Sequence, residues 1–175
     1  MHRVLVCGIT GAGKTTFAKA LAERLGLPYH EVDALFHGRN WEPIPTFVDD
    51  VTALVEHSQW VFDSHGYRAV RDLMWSRADT AIWLDYSRAV VMRRVIGRSA
   101  RRAISGETIF NENTETFRAW LDPEHPVQWA WTQYRSRRED MLRRFADPQY
   151  AHLRRVRLSK PAAADLWLSR FEVRK

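Results

Sequence analysis

The sequence predicts an α/β sandwich, a parallel sheet covered by helices on both faces. Five short apolar runs recur along the 175 residues, and stretches with three- and four-residue apolar spacing separate them. Parallel neighbours need crossover connections, which the intervening helices supply, and short buried strands need a covering layer on each side. The first run also ends in a glycine-rich stretch that opens directly into a helix, the order strand, loop, helix.

Residues 3–7 are apolar and partly β-branched, which suits a buried strand. From Lys14 the residues Phe17, Ala18, Leu21, Ala22 and Leu25 keep helical spacing until Gly26 and Pro28 stop it. Residues 29–32 read as a second strand ending at Asp33, and residues 35–45 as an irregular polar-aromatic stretch with prolines flanking Ile44. Thr46 and Asp49 resemble a capping box for a helix that buries Phe47, Val51, Leu54 and Val55. The runs Trp60-Val61-Phe62-Asp63 and Thr80-Ala81-Ile82-Trp83-Leu84-Asp85 each end in an aspartate, with a helical stretch over residues 68–77 between them. Ser87 can cap a long helix carrying Val90, Val91, Val95 and Ile96, which gives way to a basic segment at residues 98–102 and a polar loop around Gly106. Residues 126–146 form a further helix with Val127, Trp131, Tyr134, Met141, Leu142 and Phe145 inward. Residues 153–158 are the last strand, and Pro161 opens a final helix.

Length suits one domain with at most a small insertion, and 45% hydrophobic with 27% charged residues excludes wholesale disorder. No apolar run approaches a membrane span, and the N-terminal run turns into glycines too soon for a signal peptide, so a cytoplasmic location is expected. A single cysteine, Cys7, supplies neither an internal disulfide nor a multi-cysteine zinc site. Net charge is +6, and it is uneven: residues 1–87 carry 8 Lys/Arg against 11 Asp/Glu, residues 88–175 carry 19 against 10. That surplus suits phosphate-bearing small molecules or nucleic acid, and charge alone does not choose between them.

Gly8-Ile9-Thr10-Gly11-Ala12-Gly13-Lys14-Thr15 matches G-x-x-x-x-G-K-[ST] between a strand and a helix, the context in which that pattern binds a nucleoside triphosphate. Glycines let successive N–H groups face inward at the positive end of the helix dipole. Thr10, Gly11, Ala12, Gly13, Lys14, Thr15 and Thr16 are therefore the expected phosphate-binding residues, with Lys14 reaching the β- and γ-phosphates and the Thr15 hydroxyl ligating Mg²⁺. Asp63 is the preferred second carboxylate for the metal, with Asp85 as competitor, and Asp33 is the candidate to orient or deprotonate an acceptor hydroxyl. Arg93, Arg94, Arg98, Arg101 and Arg102 form a set suited to a transferring phosphoryl group, with Arg98 and Arg102 assigned to it. Trp41 is a candidate substrate contact, and His37 and His65 sit in candidate site loops. Arg135, Arg137, Arg138, Arg143 and Arg144 read as the solvated face of an amphipathic helix, ahead of a nucleic-acid contact.

These residues resemble the P-loop kinases related to adenylate kinase, and more closely the bacterial topology modulation proteins, also labelled adenylate-kinase-like ATP-binding proteins. The resemblance spans nearly the whole chain, through the glycine loop, Leu27-Pro28 leading to Val32-Asp33-Ala34-Leu35-Phe36, the two aspartate-ended runs and the arginine-rich helix after the second. It implies a P-loop NTPase three-layer α/β/α sandwich with strand order 2-3-1-4-5, a single domain over residues 1–175, an acceptor-binding region over residues 33–57 and a helical lid-like insertion over residues 98–125. Adenylate kinases read D-G-F-P-R after the third strand, where this chain has Asp63-Ser64-His65-Gly66-Tyr67-Arg68, and that departure argues against AMP as acceptor. The expectation is an ATP- and Mg²⁺-dependent phosphotransferase acting on a small molecule, with a nucleoside or nucleotide among the candidates. The alternative is a nucleotide-dependent binding protein with weak ATPase activity and a nucleic-acid or protein partner.

Overall fold

The computed structural model describes residues 1–105, 108–109, 113–114, 122 and 125–172. In chain order the elements are β1 (Arg3–Cys7), α1 (Lys14–Leu25), β2 (Tyr29–His30), α2 (Val32–Phe36), α3 (Phe47–Val55), β3 (Trp60–Phe62), α4 (Arg71–Arg77), β4 (Thr80–Leu84), α5 (Arg88–Ser105), β5 (Thr108–Ile109), β6 (Asn113–Thr114), α6 (Pro126–Ala146), β7 (Arg154–Leu158) and α7 (Pro161–Leu168). The main sheet has the order β2-β3-β1-β4-β7 with every neighbour parallel, which is the expected 2-3-1-4-5 arrangement. A short antiparallel pair, β5 and β6, stands apart from it, and β6 lies beside the 3-10 turn Arg39–Trp41. Half of the expected lid, residues 98–125, falls outside the described residues.

Because side chains of a strand alternate between faces, β1 feeds two cores. Val4 and Val6 pack with Phe17, Leu21, Ile82, Val91 and Trp167 on one side. Leu5 and Cys7 pack with Val51, Phe62, Met74, Trp75 and Trp83 on the other. Helices α1, α5 and α7 cover the first face, and α3 and α4 the second. Helix α6 serves both: Ala130 belongs to the first cluster and Met141 to the second.

Several expectations are corrected. Strand β2 stops at His30 and Asp33 lies in the first turn of α2, because the Val32 N–H donates to the Asp63 carboxylate (3.2 Å) rather than to a strand neighbour. Thr46 already has helical dihedrals, so its hydroxyl donates to Asp50 (2.8 Å) and makes no capping box with Asp49. The helix expected over residues 68–77 begins at Arg71. Residues 98–102 remain helical within α5, in keeping with the high helix propensity of arginine and alanine, and Ile96 is exposed. On α6, Trp131 and Leu142 are exposed, each one position off the buried stripe marked by Ala130 and Met141. The Arg88 guanidinium covers the Trp131 ring instead, 3.6 Å from its centroid. The final strand starts at Arg154.

Candidate functional site

The phosphate loop follows from what β1 and α1 leave between them. Gly11 has φ +79, and a Cβ there would overlap a Val95 methyl of α5. Gly13, the N-cap of α1, has φ +89, a left-handed conformation that only glycine adopts without strain. The start of α1 has no side-chain cap and no acidic residue in its first turn, so its N-terminal dipole stays available to an anion. Residues Thr10, Gly11, Ala12, Gly13, Lys14, Thr15 and Thr16 together line one side of a cavity of about 1150 Å³.

Within the loop, Lys14 Nζ donates to the Ile9 carbonyl at 3.4 Å. Burial pulls the Lys14 pKa below that of a free lysine, while the nearby Asp33 and Asp63 carboxylates act to raise it. Thr15 Oγ1 donates to Asp63 Oδ2 at 2.6 Å. The Tyr29 hydroxyl donates to the same oxygen at 2.9 Å, so the 5%-exposed Asp63 carboxylate is anchored on three sides by α1, β2 and the start of α2. Burial and the adjacent Asp63 push the Tyr29 hydroxyl above its ordinary pKa, which keeps it a donor.

The two competing aspartates separate cleanly. Asp85 accepts from Arg138 Nε (2.8 Å) and Nη2 (3.1 Å) and from Arg157 Nε (2.9 Å) and Nη2 (2.6 Å), and it makes no bond to Thr15. That carboxylate ties α6 and β7 to the end of β4. Asp63 instead adjoins the threonine of the loop.

Asp33 lines the same cavity as the loop and accepts from the Tyr67 hydroxyl at 2.8 Å. Tyr67 in turn lies 3.3 Å from His37 Nε2, and Phe36 stacks on its ring with centroids 4.0 Å apart. Trp41 meets the His37 ring edge-on at 5.3 Å and has φ 63, the only non-glycine residue with positive φ among the described residues. From α5, Arg94 Nη1 donates to the Ala12 carbonyl (2.9 Å) and Arg98 Nη2 to Thr10 Oγ1 (3.3 Å), while Arg101 and Arg102 also line the cavity.

Two expected residues, Arg93 and His65, do not line the large cavity. His65 is partly buried beside a void of about 20 Å³ under Gly8, Ile9 and Asp85. Burial, with Arg71 and Lys14 adding repulsion, lowers its pKa to about 3. Of the α6 arginines, Arg138 and Arg144 turn inward to Asp85 and to Asp72 and Tyr150, so the helix face is less free than its composition implied. The partners Tyr29 and Tyr67 were not foreseen: each reaches an aspartate 34 positions away, and no local spacing signals such a bond.

Sheet order, glycine loop and shared cavity define a P-loop protein of the kinase type. The chain belongs to the AAA domain family, whose profile matches residues 4–118. It is 27% identical over 149 residues to a shikimate kinase of Synechococcus elongatus, spanning 77% of this chain and 71% of that protein. Among solved structures it is similar to a shikimate kinase from Acinetobacter baumannii in complex with shikimate (TM-score 0.55, 18% identity, 97% of this chain and 90% of that one). It is similar also to a gluconokinase from Sinorhizobium meliloti 1021 (TM-score 0.54, 18% identity, 97% and 92%). The enzyme is a kinase, and no helix among the described residues is long and apolar enough to cross a membrane.

Proposed function

We propose that this kinase transfers the γ-phosphoryl group of ATP, with Mg²⁺, to a hydroxyl of a small acceptor, and that it stands with the topology modulation proteins among the adenylate-kinase-like enzymes. One observation carries the reading: the phosphate loop and Asp33 line a single cavity large enough for a nucleotide and a second small molecule. Thr10 through Thr16 hold the phosphates, and Lys14, freed from the Ile9 carbonyl, neutralises the β- and γ-oxygens. Residues 33–57 supply the acceptor side.

The donor set fits magnesium. The Thr15 hydroxyl and the Asp63 carboxylate, 2.6 Å apart beside the phosphate loop, are hard oxygen donors, the kind that Mg²⁺ takes in small number together with substrate phosphates. Thr15 gives its proton to Asp63, which leaves its oxygen lone pairs available to the metal, and Asp63 is the carboxylate beside it. Thr15 and Asp63 would hold the ion, and its positive charge would offset that of the phosphates.

Asp33 receives the acceptor hydroxyl. As the acceptor oxygen bonds to the γ-phosphorus, the bond from that phosphorus to the β,γ-bridging oxygen breaks, ADP leaves, and the acceptor proton passes to the Asp33 carboxylate. Tyr67, donating to Asp33, fixes the orientation of that carboxylate. Arg98 and Arg102 balance charge on the transferring group. A screen of nucleosides, nucleoside monophosphates and sugar acids with labelled ATP tests the reading: label on one metabolite is expected. A uniformly blank screen, or ATP hydrolysis raised only by nucleic acid and lost steeply with salt, overturns it.

A further inference from the structure

The charges lining the cavity are sorted. Arginines Arg94 and Arg98 are bonded to the phosphate loop, and Arg101 and Arg102 follow on the same helix, so the positive charge gathers where triphosphate binds. The lining contributed by residues 31–43 is different in kind: Glu31, Asp33, Phe36, His37, Trp41 and Pro43. It holds two carboxylates and three aromatic rings, and no Lys or Arg. Lys19 reaches Glu31 at 3.6 Å but does not line the cavity. Burial and the neighbouring Asp63 raise the Glu31 pKa, as expected where carboxylates crowd together. At the start of α4, Arg71 is turned away to Asp140 (3.6 Å) and to the Gly66 carbonyl (3.0 Å), and Arg68, in the loop after β3, is outside the cavity lining.

A carboxylate or phosphate on the acceptor would enter this wall against like charge, and among the described residues the lining from 31–43 offers it no fork-shaped donor to pair with. A ring face, by contrast, meets Phe36 and Trp41, and hydroxyl or amino donors meet Glu31 and Asp33. We infer that the acceptor is a ring-bearing alcohol that carries no anionic group of its own, selected by the acidic and aromatic wall of residues 31–43. This deepens the phosphotransferase reading and rests on it. It separates the chain from kinases whose acceptors are acids: the similar structure from Acinetobacter baumannii is in complex with shikimate.

Matched pairs test this by titration calorimetry on the full chain with Mg²⁺ and a non-hydrolysable ATP analogue: uridine against uridine 5′-monophosphate, and methyl shikimate against shikimate. The uncharged member should bind at least about tenfold tighter in each pair that binds, and uridine should bind measurably. Glu31→Lys should reduce or reverse that preference about tenfold, and Glu31→Gln, the milder change, should narrow it. Trp41→Ala should weaken both members alike. Equal or tighter binding of the anion, or no binding by any of the four, overturns the inference even if the ATP analogue binds. Failure of the analogue itself to bind overturns the phosphotransferase reading beneath it.

Discussion

Lys14 shows how a single side chain is prepared for polyphosphate. It is held against its own loop at 3.4 Å from Ile9 O, and burial weakens its hold on its proton until phosphate arrives. Lys14→Met should lower turnover by roughly 10²–10³-fold, the scale for removing one preorganised charge-stabilising donor, while circular dichroism remains native. The two aspartates predict opposite metal behaviour. Asp63→Asn should raise the Mg²⁺ concentration needed for half-maximal activity about tenfold or more, because it weakens the carboxylate beside Thr15; Asp85→Asn should leave that requirement unchanged. A common shift in both variants would remove Asp63 from the metal assignment. His65 adds a pH dependence of stability. Its ring is neutral in the folded chain down to about pH 3, whereas in the unfolded chain it takes a proton near pH 6.5. The unfolded state therefore binds more protons across that window, the penalty is absent above it, and stability falls as pH drops through it by up to about 1.4 kcal/mol per pH unit. Denaturant titrations of His65→Gln between pH 7 and 4 should show a shallower acid decline than the parent, and parallel curves would exclude His65 as the cause.

Elements were legible where a period ran long enough to be read. The stripe Phe17, Ala18, Leu21, Ala22 and the alternation of β1 between two cores depend on the regular geometry of helix and strand, so they survive without knowledge of the partners. The misreadings of Val32 and Trp131 depended on single long-range contacts. The Asp63 carboxylate drew the Val32 N–H out of β2, and Arg88 gave Trp131 a surface partner that a count of apolar positions could not show. The same holds for Asp85, legible as a strand-end aspartate but not as the clasp joining β4, α6 and β7. Asp85→Ala removes bonds to two arginines that are 41% and 44% exposed, so solvent screening limits their strain when left alone. A loss of about 2 kcal/mol is expected, near the scale of one or two charged hydrogen bonds, with Arg138→Ala costing less because Arg157 remains. Denaturant midpoints would check both, and a larger loss in Arg138→Ala than in Asp85→Ala would contradict the clasp.

Across the whole molecule, the uneven charge of the sequence resolves into two uses. Arg94, Arg98, Arg101 and Arg102 of α5 line the cavity, whereas several arginines of α6 are engaged with Asp85, Asp72, Glu139 and Asp140, which charge counting could not separate. The phosphate loop was legible because its chemistry is local, glycines and a lysine within eight positions; of the acceptor wall, Asp33, His37 and Trp41 were legible as candidates, whereas the Tyr67 bond to Asp33 was not, because it joins α2 to the loop after β3. A cavity that gathers Lys14, Arg94, Arg98, Arg101 and Arg102 concentrates positive charge in the folded state that the unfolded chain disperses. Binding of a triphosphate relieves that repulsion only when the chain is folded, so ligand and fold are linked. At a nucleotide concentration about 100-fold above its Kd the linkage contributes about 2.7 kcal/mol. For a chain of this size that raises Tm by roughly 5–11 °C. Thermal melts with Mg²⁺ and a non-hydrolysable ATP analogue should show this rise, Lys14→Met should diminish it at the same concentration, and Asp85→Asn, though starting lower, should keep it. A Tm indifferent to any nucleoside triphosphate would mean that the loop does not grip the phosphates, and with it the kinase site would fall.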